Sequence, residues 1–396
     1  MIELELDLIE PLGRLFARPW ADAVTGLQVD SRRVAEGDLF VAVGGGKDFV
    51  EHALARGAAA ALVPDDAHAA LAAVAGAVRD RSKARLVAIT GSTGKTSTKD
   101  ILYAMCAPHA KTIANEGNYN NELGVPLTLA RLELDTEICI AELGMRGLGQ
   151  IAYLASFAKP DIGVITNVGP VHLELVETIE NVAKAKAELI AALPAGGVAV
   201  IPNEPLLEPH LDRTDITVER VDPDASLPFA TSYSAKHQLA NTRFAVAAAR
   251  HLGIALPEHE LHVEFSKLRE EEWELAGGGL LLNDCYNANP VSMRAALEHL
   301  TERANGRRRI AVLGDMAELG DSAPAYHAEI GALVRELGIE HVIAVGGLAR
   351  AYGGEWVADA AGAAERLRAA LRPDDVVLVK GSRSVGLEVV AENLER

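Results

Sequence analysis

Apolar runs of four to six residues, each ending in glycine or a polar residue, recur along this chain and alternate with stretches of helical periodicity. Leu86–Ile89, Ile138–Ala141 and Ile162–Ile165 fall in the middle of the chain, and Val198–Ile201 follows them. A strand that is apolar at every position is covered on both faces, so these runs predict a parallel sheet flanked by helices. An Ala-rich helix is expected over Gln238–Leu252, stopped by Gly253. Ile310–Leu313, Val342–Val345 and Val376–Val379, separated by helices such as Tyr326–Leu337, predict a second doubly wound sheet in the last third. The first 80 residues read differently. One strand candidate, Leu39–Val43, lies between Val29-Asp30-Ser31-Arg32-Arg33 and Gly44-Gly45-Gly46, and an Ala-rich helical stretch then runs into the charged segment Arg79–Lys83. That segment reads as a domain boundary.

At roughly 150 residues per domain, 396 residues allow two or three domains. With 49% hydrophobic and 24% charged residues the composition is that of a soluble globular protein. Lys and Arg number 38 against 56 Asp and Glu, and the resulting net charge of −18 argues against broad binding to nucleic acid or anionic membranes. Any anionic ligand must find a local basic site. Cys106, Cys139 and Cys285 are widely spaced, which points to core thiols rather than disulfides or zinc. The acidic start Met-Ile-Glu-Leu-Glu-Leu-Asp has no secretory pattern and no run of 18 apolar residues occurs, so a cytoplasmic protein without membrane insertion is expected.

Leu86–Ile89 leads into Thr90-Gly91-Ser92-Thr93-Gly94-Lys95-Thr96-Ser97 and then a helix through Ile101 and Met105. A strand, a glycine turn, Lys-Thr and a helix N-terminus present backbone N–H groups and a cation to phosphates, and the Thr96 hydroxyl can ligate Mg²⁺. Position 89 is isoleucine where the full Walker pattern has glycine, so the shortened G-x-x-G-K-T also suits an ordinary strand-to-helix turn. Glu142 follows one strand, and His172 lies just beyond another in Asn167-Val168-Gly169-Pro170-Val171-His172. In a parallel sheet both emerge at the carboxyl edge shared with the phosphate loop, where a divalent ion would be held. Singly, a helix-capping carboxylate and a satisfied loop histidine explain them better; together with Lys95 they favour a metal–nucleotide site.

With these residues assembled, the chain resembles the Mur ligase family, the ATP-dependent enzymes that build the peptide of the bacterial cell-wall precursor. The resemblance spans nearly the whole length. It rests on Asp30-Ser31-Arg32, Gly91–Thr96, Gly117–Pro126, Glu142–Gly147, Val168–Glu174 and Ala185-Lys186-Ala187-Glu188-Leu189. Farther on it rests on Asn283–Pro290, Gly314-Asp315-Met316-Ala317-Glu318-Leu319-Gly320 and Lys380-Gly381-Ser382-Arg383-Ser384. The Tyr-Asn-Ala-Asn-Pro and Gly-Asp-Met-x-Glu-Leu-Gly strings point to the branch that adds D-alanyl-D-alanine to UDP-N-acetylmuramoyl-tripeptide.

The resemblance implies an α/β protein of three domains acting as a monomer: a small UDP-sugar domain over 1–82, a central P-loop-type ATPase domain with a mostly parallel sheet over 83–253, and a Rossmann-like domain over 254–396 that brings the dipeptide. It implies ATP and Mg²⁺ as cofactors. Gly91, Ser92, Thr93, Gly94, Lys95, Thr96 and Ser97 would cradle the phosphates, with Arg269 near them and Asn121 beside the terminal one. Thr96, Glu142 and His172 would ligate magnesium. Lys186 falls where the family carries a carbamylated lysine beside a second magnesium; Lys184, two residues away, fits the pattern less well. Asn241 would contact adenine, although Gln238 stands where asparagine is more usual, and Asp284 and Tyr286 would reach the ribose and base. Ser31 and Arg32 would contact the UDP-sugar, and Lys380, Ser382 and Arg383 the peptide's acyl end or the incoming dipeptide. Arg32, Lys95, Arg269 and Arg383 are expected along one interdomain cleft.

Two departures stand out: Gly45-Gly46-Lys47-Asp48-Phe49 replaces a more usual Asp-Gly-His-Asp-Phe, and the stretch from Asn203 to His237 is short for the family. A simple P-loop kinase would account for the loop but leave the Tyr286–Pro290 motif without a purpose.

Overall fold

The computed structural model describes residues 1–394 apart from Asn118, Glu270 and Ala276. Near the N-terminus, strands are ordered Gly13–Ala17, Ala60–Pro64, Asp38–Val41, Gly26–Gln28, antiparallel at the first pairing and parallel at the other two. The strand expected at Leu39–Val43 is Asp38–Val41, and the triple glycine opens a 3-10 turn, Gly44–Phe49. Helix Ala67–Arg81 begins where the Asp66 carboxylate accepts from the His68 and Ala69 amides. Its apolar face, Leu71, Val74, Ala75 and Val78, shares a core with Leu86 and Ala88 of the next sheet, so the helix packs on Gly124–Leu129 and Gln150–Ala158. The charged segment at its end is accordingly no loose linker. Arg79 is buried, donating to the carbonyls of Ala84, Ala158 and Lys159 and to the Asp161 carboxylate at 2.9–3.1 Å.

The central sheet holds six strands, all parallel, in the order Thr217–Val221, Val198–Pro202, Ile162–Ile165, Arg85–Thr90, Ile138–Glu142, Thr112–Ala114. Leu86–Ile89, Ile138–Ala141 and Ile162–Ile165 are buried, as two covered faces require. From Arg85–Thr90 the chain builds first toward one edge and then, with Ile162–Ile165, toward the other. This change of direction places the sheet's topological switch point between these two strands, at whose carboxyl edge ligands bind in open α/β sheets. The short stretch Asn203–His237 supplies a 3-10 turn, Pro205–His210, and the edge strand Thr217–Val221. Helix Lys236–Leu252 ends on Gly253, which takes φ +78.

The third sheet runs Glu271–Glu274, Leu280–Asn283, Val376–Lys380, Arg309–Gly314, His341–Val345, Glu355–Val357, parallel except for the first strand. Separate apolar clusters fill its two faces. All three cysteines are buried and free, with burial pushing each thiol up to about 12. Among the described residues no helix is long and apolar enough to cross a membrane.

Candidate active site

The loop Gly91–Thr96 leaves the buried strand Arg85–Thr90 and enters helix Lys95–Cys106. Ile89, at the departure from the Walker pattern, is a buried strand residue. Two neighbours close on the loop and leave room only for glycine: a Cβ at Gly91 would overlap the Thr166 hydroxyl, and one at Gly94, which has φ +76, would overlap the Asn241 amide. The loop is also held from the side. Thr93 N donates to Asn167 Oδ1 at 3.0 Å, Thr166 Oγ1 to Thr93 O at 2.6 Å, and Ser92 Oγ to Gly169 O at 3.0 Å. Lys95 curls back so that Nζ donates to Gly91 O at 2.8 Å. Burial lowers its pKa, Glu142 opposes that shift, and Arg269 adds to it.

Glu142 ends its strand fully buried. Its Oε2 accepts from Thr96 Oγ1 and its Oε1 from Asn120 Nδ2, both at 2.7 Å. Asn115 Oδ1 accepts from the Glu142 amide at 2.5 Å, fixing the backbone from which the carboxylate projects. His172 sits at φ +53 with Nδ1 2.5 Å from Glu318 Oε2 of the C-terminal sheet's loop. Lys186, in helix Ile179–Ala191, is 1% exposed. Burial holds its amine well below the usual lysine range, and Lys95 pushes it the same way. His172 in turn is held low by burial and feels both lysines. Lys95, Thr96, Glu142, His172 and Lys186 thus share one small volume at the sheet edge. Neither proximity nor burial of Lys186 can be seen in a helical repeat.

The other expected residues distribute unevenly. Asn121 turns away from this volume, its Oδ1 accepting from the Leu123 and Gly124 amides at 3.2 and 3.0 Å at the head of helix Gly124–Leu129. Its neighbour Asn120, absent from the sequence-derived set, reaches Glu142 instead. The run offers several asparagines, Asn118 lies outside the described residues, and it is the tertiary fold, in which Gly144 N donates to Asn120 O at 2.8 Å, that decides which one faces in. Asn241 is buried beneath Gly94, and Ser97 is buried in the first turn after the loop. Arg269 stacks over Tyr286 with its guanidinium carbon 4.1 Å from the ring centroid; Glu270 beside it lies outside the described residues.

Lys380 departs from expectation as a substrate contact. It is buried, and its Nζ donates to the Asp284 carboxylate and to Asn287 O at 3.0 Å. The expected ribose contact and the expected acyl contact therefore neutralise each other inside the C-terminal domain. Ser382 is likewise buried, its hydroxyl accepting from Ala317 N at 2.8 Å, whereas Arg383 faces out toward Glu388 at 3.3 Å. In the first domain Ser31 Oγ pairs with His52 Nδ1 at 3.0 Å, and Arg32, 82% exposed, forks onto Asp30. Next to it, Arg33 lines a cavity of about 440 Å³ shared with Gln28, Lys111, Glu116 and Arg131. Of the four cations expected along one cleft, Arg269 is near enough to Lys95 to lower its pKa by repulsion, Arg383 near enough to Tyr286 to favour its ionised form, and Arg32 is tied up elsewhere.

Residues 89–214 match the Mur ligase middle domain and residues 271–383 the Mur ligase glutamate ligase domain. The UDP-N-acetylmuramoyl-tripeptide–D-alanyl-D-alanine ligase of Escherichia coli (strain K12) is 33% identical, over 94% of each chain. The chain belongs to the Mur ligase family. Among solved structures, MurF from Acinetobacter baumannii superposes with a TM-score of 0.86 at 26% identity, covering 100% of this chain and 99% of that one. The MurF ligase of Thermotoga maritima, solved in complex with ADP, superposes at 0.81 with 27% identity, covering 94% and 97%. As a Mur ligase the chain has the three-domain α/β layout, and it uses ATP.

Proposed function

We propose that this Mur ligase joins D-alanyl-D-alanine to UDP-N-acetylmuramoyl-tripeptide with cleavage of ATP, giving the pentapeptide precursor, ADP and phosphate. The extent of the likeness carries this reading: 33% identity spread over 94% of both chains. The domains divide at about 82 and 253, and the enzyme acts as a monomer in the cytoplasm.

The chemistry explains the residues. A carboxylate repels nucleophiles and lacks a leaving group, so the tripeptide's terminal carboxylate must first take the γ-phosphoryl group as an acyl phosphate. Lys95 would release Gly91 O and bind phosphate oxygens, while loop N–H groups and Arg269 offset the charge of two approaching anions. The amine of the dipeptide then attacks the acyl carbon, a tetrahedral intermediate collapses, and phosphate departs. Asn241, Asp284 and Tyr286 border the nucleoside end, and Ser31 and Arg32 the UDP-sugar. Arg383 stands closest to an exposed role toward the dipeptide, with Lys380 and Ser382 shaping its strand end from within.

The donors fit magnesium. Mg²⁺ prefers oxygen, takes one or two carboxylates and completes its shell with water and phosphate. The buried Glu142 carboxylate and Thr96 hydroxyl are such donors, and among the described residues no cluster of three His, Cys, Asp or Glu offers a fuller cage. Glu142, Thr96 and His172 would hold the ion, which supplies positive charge to the transferring phosphoryl group. Burial disfavours the charged form of Lys186, and a neutral amine can add to carbon dioxide and lose a proton to become an anionic carbamate. That group would bind a second ion.

The deciding experiment follows the amide product by mass spectrometry with ATP, UDP-N-acetylmuramoyl-tripeptide and D-alanyl-D-alanine each omitted in turn. Pentapeptide is expected only from the complete mixture. Product without ATP, or a preferred amine other than the dipeptide, overturns the assignment. ¹³C-carbon dioxide should give a carbamate resonance that disappears in Lys186→Ala.

A further inference from the structure

The loop Gly314–Gly320 lies outside the phosphate cradle and the ion's donors, yet the C-terminal domain ties it down residue by residue. The Tyr352 hydroxyl donates to Gly314 O at 3.2 Å, and Asp315 Oδ1 accepts from Ala349 N at 2.6 Å. Met316 N donates to His327 Nε2 at 2.9 Å, and Ala317 N to Ser382 Oγ at 2.8 Å. His327 is fully buried, donates from Nδ1 to Ala323 O at 2.7 Å and stacks on Tyr352, so its tautomer is set with Nε2 as acceptor. At the end of this anchored run Glu318 adopts φ +61, a conformation that costs a non-glycine residue about 1 kcal/mol or more. A rigid base and a strained tip mark a side chain that is aimed.

Its target is in the other domain. Glu318 Oε2 lies 2.5 Å from His172 Nδ1, and Oε1 lies 3.6 Å from Arg146 Nε. The backbones also meet: Glu174 N donates to Glu318 O at 3.4 Å, and a Cβ on Gly320 would come within 3.1 Å of Glu174 Cα. A carboxylate only accepts, so Nδ1 of His172 carries the hydrogen and the lone pair is left on Nε2.

We propose that Glu318 is a positioning residue through which the C-terminal domain completes the ion site: by accepting from His172 Nδ1 it orients Nε2 toward the divalent ion, so the donor set assembles only when that domain is docked. The proposal rests on His172 being a donor to that ion. Outer partners of metal-binding histidines are worth 10–100-fold in affinity.

The test titrates Mn²⁺, a paramagnetic substitute for Mg²⁺, into the full-length protein with ADP and reads binding by electron paramagnetic resonance. Glu318→Ala should weaken Mn²⁺ binding roughly 10–100-fold. Glu318→Gln, whose amide oxygen still accepts, should return to within a few-fold of the parent, with the thermal midpoint unchanged in both. His172→Ala combined with Glu318→Ala should bind no more weakly than His172→Ala alone, because the second residue acts through the first. Parental affinity in Glu318→Ala, or losses that add in the double variant, overturns the role of Glu318. Parental affinity in His172→Ala overturns instead the assignment of His172 as a donor.

Discussion

The central and C-terminal sheets share an architecture of mostly parallel strands with glycine turns at their carboxyl edges, and each carries a lysine there, half-buried Lys95 and buried Lys380. The two lysines end differently. Lys95 donates to a neutral backbone carbonyl, Gly91 O, and although the Glu142 carboxylate lies near enough to raise its pKa, no carboxylate accepts directly from it. Lys380 meets the Asp284 carboxylate and is neutralised in place. A lysine at the carboxyl edge whose resting partner is a neutral carbonyl can be released to an anion, whereas one held by a carboxylate is a structural tie. For a protein of net charge −18, a lysine without a direct carboxylate partner at one edge is a local feature that would favour an anionic ligand there.

The largest expected effect separates the two lysines directly. Lys95→Ala should reduce kcat/KM by about 10³-fold or more with unchanged far-ultraviolet circular dichroism. Lys380→Met should act on stability instead, costing about 1–3 kcal/mol because it leaves the partly exposed Asp284 carboxylate without its buried partner. In urea unfolding, adding Asp284→Leu should recover most of that loss. If Lys380→Met leaves stability intact and abolishes turnover, the contrast fails.

A smaller contrast lies between neighbouring asparagines. Asn120→Ala removes the donor to Glu142 and should slow turnover about tenfold, in line with about 1–1.5 kcal/mol for one hydrogen bond. Asn121→Ala should cost about 1 kcal/mol of stability through the head of its helix, with little change in rate. Loss of turnover in Asn121→Ala at unchanged stability would place that residue, not Asn120, at the phosphates.

The smallest effect concerns pH. Burial depresses the pKa of His327 below its unfolded value near 6.5, so below that pH the unfolded chain binds more protons than the folded one. Stability is therefore full above about pH 7 and falls as the pH drops through the unfolded value toward the folded one. Urea midpoints measured at neutral and mildly acidic pH should decline, and His327→Gln should make the decline shallower. His172, depressed by burial in the same direction, keeps the slope from vanishing.

Local pattern points to the inner strands of the central sheet, to most of those of the C-terminal sheet and to the loop, but not to short or edge strands such as Thr112–Ala114, Thr217–Val221 and Glu355–Val357. A short run apolar at every position between turn residues fits a covered strand, and a glycine pair before Lys-Thr at a helix head fits a loop that presents amides and a cation, so both are suggested without a partner in view. The role of a polar side chain is not local, because burial and pairing come from segments far away in the chain. Arg79 looks like part of a charged linker until Ala158 and Asp161 surround it. Lys186 looks like a solvated helix residue until neighbouring elements seal it from water. His172 and Glu318 are 146 positions apart, and only the docking of two domains makes them a pair. Hydrophobic periodicity is a property of neighbours in sequence; electrostatics and hydrogen bonding in a site are properties of neighbours in space.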